Sequence, residues 1–199
     1  MKTQRLKFKS LMNKYRSLFY EEQYVLEVLN EWNQVFESYY RSYCAEHEID
    51  LDKLNKDNAV RVNNAFSSSK AIALKNTCQN PKEEFDSKKL FRQIAKKFHP
   101  DTLSADDPRR DEYEAAFKKA AGAIKEGKWG QLFDVADEYD LELKEYDQIN
   151  KSLLIDIERI AKKIKSKKNT YAWLLYECEE DVVCKENVVR KFLNHLFNI

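Results

Sequence analysis

Glycine and proline are scarce, with three of each in 199 residues. These residues supply the sharp turns that strands need at short intervals, and strict apolar/polar alternation is also rare, so a sheet-rich fold is excluded and long helices are expected. Long hydrophobic runs are lacking too. The longest candidate, 171–176, falls far short of the roughly 20 apolar residues that cross a bilayer, so no membrane partner is expected. A charge of one sign is missing: 35 Lys and Arg against 34 Asp and Glu leave +1, which implies no global attraction to nucleic acid or membrane. Cys44, Cys78, Cys178 and Cys184 fit neither a paired CxxC zinc site nor a compact secreted framework. Reduced structural thiols in a cytoplasmic protein are the expectation. No glycine-rich loop precedes a Lys-Ser/Thr pair, so the chain is not expected to bind ATP itself. His47, His99 and His195 are scattered without metal-ligand spacing, and neither an enzyme nor a cofactor is expected.

What is present is amphipathic helix, and 43% hydrophobic residues supply a core for it. Phe8, Leu11, Tyr15 and Leu18, then Val25, Leu29, Trp32, Phe36, Tyr39 and Tyr43, advance by steps of three and four, interrupted at Glu22. That heptad seam predicts one helix over about 5–47. Its bulky aromatic residues favour packing within the chain over a homodimeric coil, so a monomer is preferred. Asp50 starts a weaker helix over 51–77, with Leu54, Val62, Ala65, Phe66 and Ile72 as buried candidates. Asn80-Pro81 reads as a turn. A second seam, Leu143, Tyr146, Asn150, Leu153, Ile157, Ile160 and Ile164, predicts another long helix from near Leu141, with Asn150 at a position where a buried amide sets register. The tail carries apolar bursts at 173–175 and 188–197.

Between the seams lies Lys88 to Asp101. Leu90, Ile94 and Phe98 recur every fourth residue and face a core, while Lys88, Arg92 and Lys96 form a basic stripe. Asp86 or Ser87 caps the start, and Pro100 forces the helix to stop near His99. After a polar stretch containing Pro108, Asp111 is placed to cap a second helix with Tyr113, Phe117, Ala120 and Ile124 on one face. Gly127 and Gly130 then mark a stop, and a short helix around Leu132, Phe133, Val135 and Ala136 follows.

The segment Phe91-Arg92-Gln93-Ile94-Ala95-Lys96-Lys97-Phe98-His99-Pro100-Asp101 resembles the second helix and signature loop of a J domain, the module that stimulates ATP hydrolysis by heat-shock chaperones of the seventy-kilodalton class. The likeness covers about residues 86–127 and extends to Phe117 in the following helix. The family's first helix has at most a remnant at 71–74, and one of the long flanking helices is expected to cover the face it leaves. The resemblance implies a docking surface of His99, Pro100, Asp101, Lys88, Phe91, Arg92, Lys96 and Lys97 for the ATP-bound chaperone.

The expected architecture is therefore all-α, a divergent J-domain hairpin embedded between long, heptad-patterned helices. Its segments are a long N-terminal helix (1–50), a connecting helical stretch (51–85), a J-like domain (86–142) and a C-terminal helical segment (143–199). The expected function is that of a co-chaperone whose flanking helices choose a client or complex. The alternative is a helical adaptor in which the tip is vestigial and the tripeptide merely ends a helix. Nucleic-acid binding, through the stripe and the lysines at 162–168, ranks below both because 134–145 is densely acidic.

Overall fold

The computed structural model describes residues 2–68, 86–104 and 106–199, the side chains of 60–68 excepted. Among them there are eight α-helices and no strand: α1 (Lys2–Glu46), α2 (Leu51–Ser68), α3 (Ser87–Phe98), α4 (Arg110–Glu126), α5 (Trp129–Glu138), α6 (Tyr146–Lys168), α7 (Tyr171–Glu177) and α8 (Val182–Phe197). The all-helical expectation holds. The helices form two compact units, the first within Met1–Glu21 and Gln79–Lys163 and the second within Glu22–Cys78 and Ile164–Ile199. These units cut across the four consecutive segments expected from the sequence, because α1 and α6 each contribute to both.

In the first unit, α1 buries Phe8, Met12 and Tyr15, and α6 buries Ile149, Asn150, Leu153, Ile157 and Ile160. Both seams are therefore real, and Asn150 is inside as expected, its amide donating to the Gln4 carbonyl oxygen (3.3 Å) and Oε1 (3.2 Å). α6 starts at Tyr146, later than the Leu141 expected, because Asp140 and Glu145 adopt positive φ (50° and 62°) and the backbone between them is not helical. Packing on α3 comes from α4 and α5, and Leu90, Ile94 and Phe98 are 4%, 0% and 0% exposed. A cleft shared by Leu90, Leu143 and Ile149 brings the lead-in to α6 to the same face.

The buried face of α4 is rotated from the expected one. Ala116, Ala120 and Ala123 are buried while Tyr113, Phe117 and Ile124 are half-buried. Small side chains let α3 and α5 approach closely, and the larger ones are left at the edges, where they have room. Asp111 lies inside the first turn; the cap position is Arg109, whose N–H is bonded to the Asp107 carboxylate at 2.8 Å. Gly127 ends α4 with φ 63°, the left-handed conformation that favours glycine.

In the second unit, Val25, Leu29, Phe36, Tyr43 and Cys44 of α1 are buried, as are Trp173 and Leu175 of α7 and Val188, Val189 and Leu193 of α8. Rings dominate here: Phe36 meets Phe192 edge-on at 5.0 Å and stacks on Tyr171 at 6.1 Å, and Trp32 meets Tyr176 at 5.4 Å. Asp50 opens α2 by accepting from Lys53 N at 2.9 Å, and Leu54 is half-buried. The expected burial of Val62, Ala65, Phe66 and Ile72, the continuation of α2 to Thr77, the remnant at 71–74 and the turn at Asn80-Pro81 lie outside the described side chains and residues. One expectation is corrected: Cys178 and Cys184 form a disulfide, their Cα atoms 5.5 Å apart across the α7–α8 turn, whereas Cys44 is a buried free thiol. Six intervening steps of turn and helix cap bring the two sulfurs together without any recognisable sequence spacing.

Candidate partner-docking tip

The tip is built by the way α3 begins and ends. Asp86 caps its N-terminus, accepting from Lys89 N at 3.0 Å. At the other end His99 N still bonds Ala95 O (2.9 Å), but His99 is extended (φ −65°, ψ 133°) because Pro100 follows. Pro100–Thr102 then form one 3-10 turn. Four contacts lock it: Thr102 N and Thr102 Oγ1 both donate to His99 O (2.9 and 2.7 Å), Leu103 N donates to Pro100 O (3.3 Å), and Asp101 N donates to His99 Nδ1 (3.2 Å). A neutral His99 that accepts at Nδ1 carries its proton on Nε2, which leaves that N–H available as a donor.

The His99 ring is positioned by Phe117 of α4, edge to face at 5.0 Å, and Phe117 in turn stacks on Phe91 of α3 at 5.8 Å. Phe91, half-buried, thus supports the tip from beneath. The His99 side chain is 42% exposed and the Asp101 carboxylate 88%. Pro100 is half-buried beside them. His99, Pro100 and Asp101 lie at one end of the α3–α4 pair, with Phe117 and then Phe91 in succession behind the His99 ring.

The basic residues of α3 divide into two rows. Lys88, Arg92 and Lys96 are exposed, and no described carboxylate pairs with them. Lys97 belongs to the other row, with Lys89 and Gln93. Its ammonium donates to Tyr139 O (3.3 Å) and lies over the Phe98 ring at 5.3 Å, while Lys89 and Gln93 line a cleft with Glu142 and Glu145. Lys89 and Lys97 are exposed as well, so the rows differ in what they contact and not in access to water.

Two supports of the first unit, one beneath the tip and one at the start of α5, had no counterpart in the sequence reading. Arg109 grips Glu112 with both Nε (3.0 Å) and Nη2 (2.8 Å), and Tyr139 Oη donates to Glu112 Oε1 at 3.0 Å. The Tyr139 and Tyr113 rings flank Phe98 at 4.6 and 5.1 Å. The hydrogen bond from Arg109 holds the Glu112 carboxyl below its ordinary range, helped by Tyr139. Burial, and then the bond to Glu112, push the Tyr139 phenol up to about 12. The only local signal was the spacing of Arg109 and Glu112 at the start of a helix.

The second support seats α5. Lys128 at its cap position offers no side-chain bond, so the first N–H groups of α5 need another acceptor. Asp156 of α6, 2% exposed, supplies it, accepting from Gly130 N at 2.7 Å and pairing with Arg159 Nη2 at 2.9 Å. Burial raises the Asp156 carboxyl above its ordinary value, with the Gly130 amide and the Arg159 charge acting the other way. Gly130 is there because a Cβ would fall 2.2 Å from Tyr15 Cε2. On the outer side of α5, Asp134 bonds Arg16 Nε (2.7 Å) and Lys119 Nζ (2.6 Å), and Asp137 bonds Arg16 Nη2 (3.0 Å) and Lys9 Nζ (2.5 Å). Part of the acidic run that the sequence displays is thereby matched by cations of α1 and α4.

The remaining histidines lie in the second unit, His47 against Tyr43 and His195 bonded to Tyr171 Oη at 3.1 Å. Among the described residues no group of His, Cys, Asp and Glu is arranged to hold a metal ion, and no helix is long and apolar enough to cross a membrane. Comparison with family models, curated proteins and solved structures finds no significant match to this chain.

Proposed function

We propose that the chain is a J-domain-like co-chaperone that docks a heat-shock chaperone of the seventy-kilodalton class in its ATP-bound form and accelerates that partner's ATP hydrolysis. The observation that carries this reading is the tip itself: a carboxylate 88% exposed and an imidazole N–H, on a turn closed by its own hydrogen bonds at the end of a helix whose exposed basic row pairs with no described carboxylate. Asp101 suits a charge-assisted bond to a partner arginine, and the His99 Nε2–H supplies a directional donor beside it. Pro100 and the internal bonds order the turn before contact, so association loses less entropy there. Lys88, Arg92 and Lys96 speed encounter with an acidic surface and make it salt-sensitive.

Acceleration of a partner's reaction requires tighter binding to its hydrolysis-competent state than to the others, because a ligand shifts an equilibrium only through differential affinity. The chain itself contributes no reacting group. The helices outside the tip direct the chaperone to a client or complex.

The test is single-turnover ATP hydrolysis by a chaperone of this class from the same cell, with the parent chain and with folded His99→Gln and Asp101→Asn variants. Acceleration by the parent alone is the expected result. A folded parent that accelerates no such chaperone would overturn the reading and leave a helical adaptor with an ordinary helix terminus at His99.

A further inference from the structure

The α7–α8 turn of the second unit is closed by a covalent bond that plays no part in the tip. α7 has only seven residues, too few to be stable as an isolated helix, so its place depends on tertiary contacts. Trp173, 4% exposed, meets Tyr24 edge-on at 6.3 Å and Tyr176 at 5.2 Å. Cys178 follows the last residue of α7 and is 5% exposed; Cys184, in the first turn of α8, is half-buried. Their disulfide spans six positions. Within the ring Glu179 holds φ 49°, a conformation disfavoured for a residue with a Cβ. Val182 and Val183 are held out in water at 59% and 68% exposure. Asp181 completes the turn by capping α8, accepting from Cys184 N at 3.0 Å.

We infer that the Cys178–Cys184 bond is a reversible redox clasp: oxidised, it holds α7 and the first turn of α8 as one hairpin, and reduced, it releases the 178–184 turn. A partly exposed cystine is the kind that exchanges with cellular thiols. Access directs a donor thiolate to the Cys184 sulfur, the better exposed of the two. The S–S bond breaks, a mixed disulfide forms on Cys184, and Cys178 departs as a thiolate that takes a proton from water. A second donor thiolate attacks the donor sulfur of the mixed disulfide and releases Cys184, which is protonated in turn. Two electrons have passed from the donors to the cystine, and the donors leave as their own disulfide; glutathione or a protein dithiol serves as that donor.

The consequence is local. Without the ring, the left-handed Glu179 relaxes and the exposed valines are no longer fixed, so the hairpin opens more often. The inference is independent of the co-chaperone reading.

The experiment uses the full chain isolated without reductant and equilibrated in glutathione buffers covering the range of cellular poise. The tryptic peptide 169–185 contains both cysteines and is lighter by two hydrogens when they are bonded. That peptide is expected to interconvert across the buffer series, with amides of 171–184 exchanging about tenfold faster or more in the reduced chain, on the ring-closure entropy. Cys184→Ser should exchange like the reduced parent. Three results would overturn the clasp: a peptide still reduced in the most oxidising buffer, a peptide still bonded in the most reducing buffer, or equal exchange in both states.

Discussion

Two helix ends of the first unit solve the same problem in opposite ways. At the C-terminus of α3, the tip closes on partners two or three residues away, and its imidazole and carboxylate remain in water. At the N-terminus of α5, Gly130 N reaches a carboxylate 26 residues distant that is 2% exposed. Local closure leaves chemistry free for a partner, whereas long-range closure consumes it to hold the fold. Stability and recognition are thus separated by about thirty residues of chain, and substitutions can address one without the other.

The largest effect is expected at the buried end. Asp156→Ala strands Gly130 N and the Arg159 guanidinium, and should cost about 3 kcal/mol, at the low end for a broken buried pair because Arg159 keeps some contact with water. Urea unfolding at equilibrium measures it. The pH dependence has a definite sign: the folded pKa of Asp156 is raised, so its stability contribution is complete below its ordinary 3.8 and is lost as pH rises through the elevated value. Asp156→Asn keeps an acceptor for Gly130 and should remove that dependence. A parent whose stability shows no greater fall than the Asn variant from about pH 4 to 7 would refute the buried-charge account.

Gly130→Ala tests the same seat through sterics and comes next. Its Cβ would overlap the Tyr15 ring at 2.2 Å, and Tyr15, 4% exposed, has little room to move. A loss of about 2 kcal/mol is expected, typical of an overpacked core. Gly122, with nothing within 4 Å of a Cβ, is the internal control, and Gly122→Ala should be neutral or slightly stabilising.

Tyr139→Phe lies between the two regions. It deletes the bond to Glu112 and retains the ring against Phe98, for an expected loss of about 0.5–1 kcal/mol. Because the folded phenol titrates near 12 against an ordinary 10.0, the parent should lose this contribution as pH climbs from 10.0 towards about 12, and the Phe variant should show a flatter alkaline limb.

The contrast between local and distant closure also explains what could be read in advance. The stop at Pro100, the Asp86 cap and the burial of Leu90, Ile94 and Phe98 follow from contiguous residues, and each appears in the structure. Both seams were legible because a heptad repeat is a local pattern with a long reach. Asp156 was not, since an acid on a basic-rich helix looks solvated until another helix end is placed against it. The rotation of α4 was missed because alanines give a weak hydrophobic signal yet set the distance between helices. Lys97 was expected only as part of the docking surface; its bond to Tyr139 O depends on where α5 ends. The disulfide was hidden for a similar reason, because its geometry comes from a turn and a cap and not from spacing.

The smallest effect on stability is expected at the tip, and that small size is what gives the variant its value. His99→Gln removes an acceptor for Asp101 N and an edge contact with Phe117, but the side chain is 42% exposed and Thr102 still closes the turn through His99 O. The cost to folding should stay within about 0.5 kcal/mol, as for surface substitutions generally. On the co-chaperone proposal the same change abolishes acceleration of ATP hydrolysis, while Lys97→Gln, whose ammonium is already held by Tyr139 O, reduces it less than Arg92→Gln. If His99→Gln instead unfolds α3 alongside any loss of activity, as hydrogen exchange at Ile94 and Phe98 would reveal, the tip is part of the structural frame and the separation drawn between the two helix ends fails.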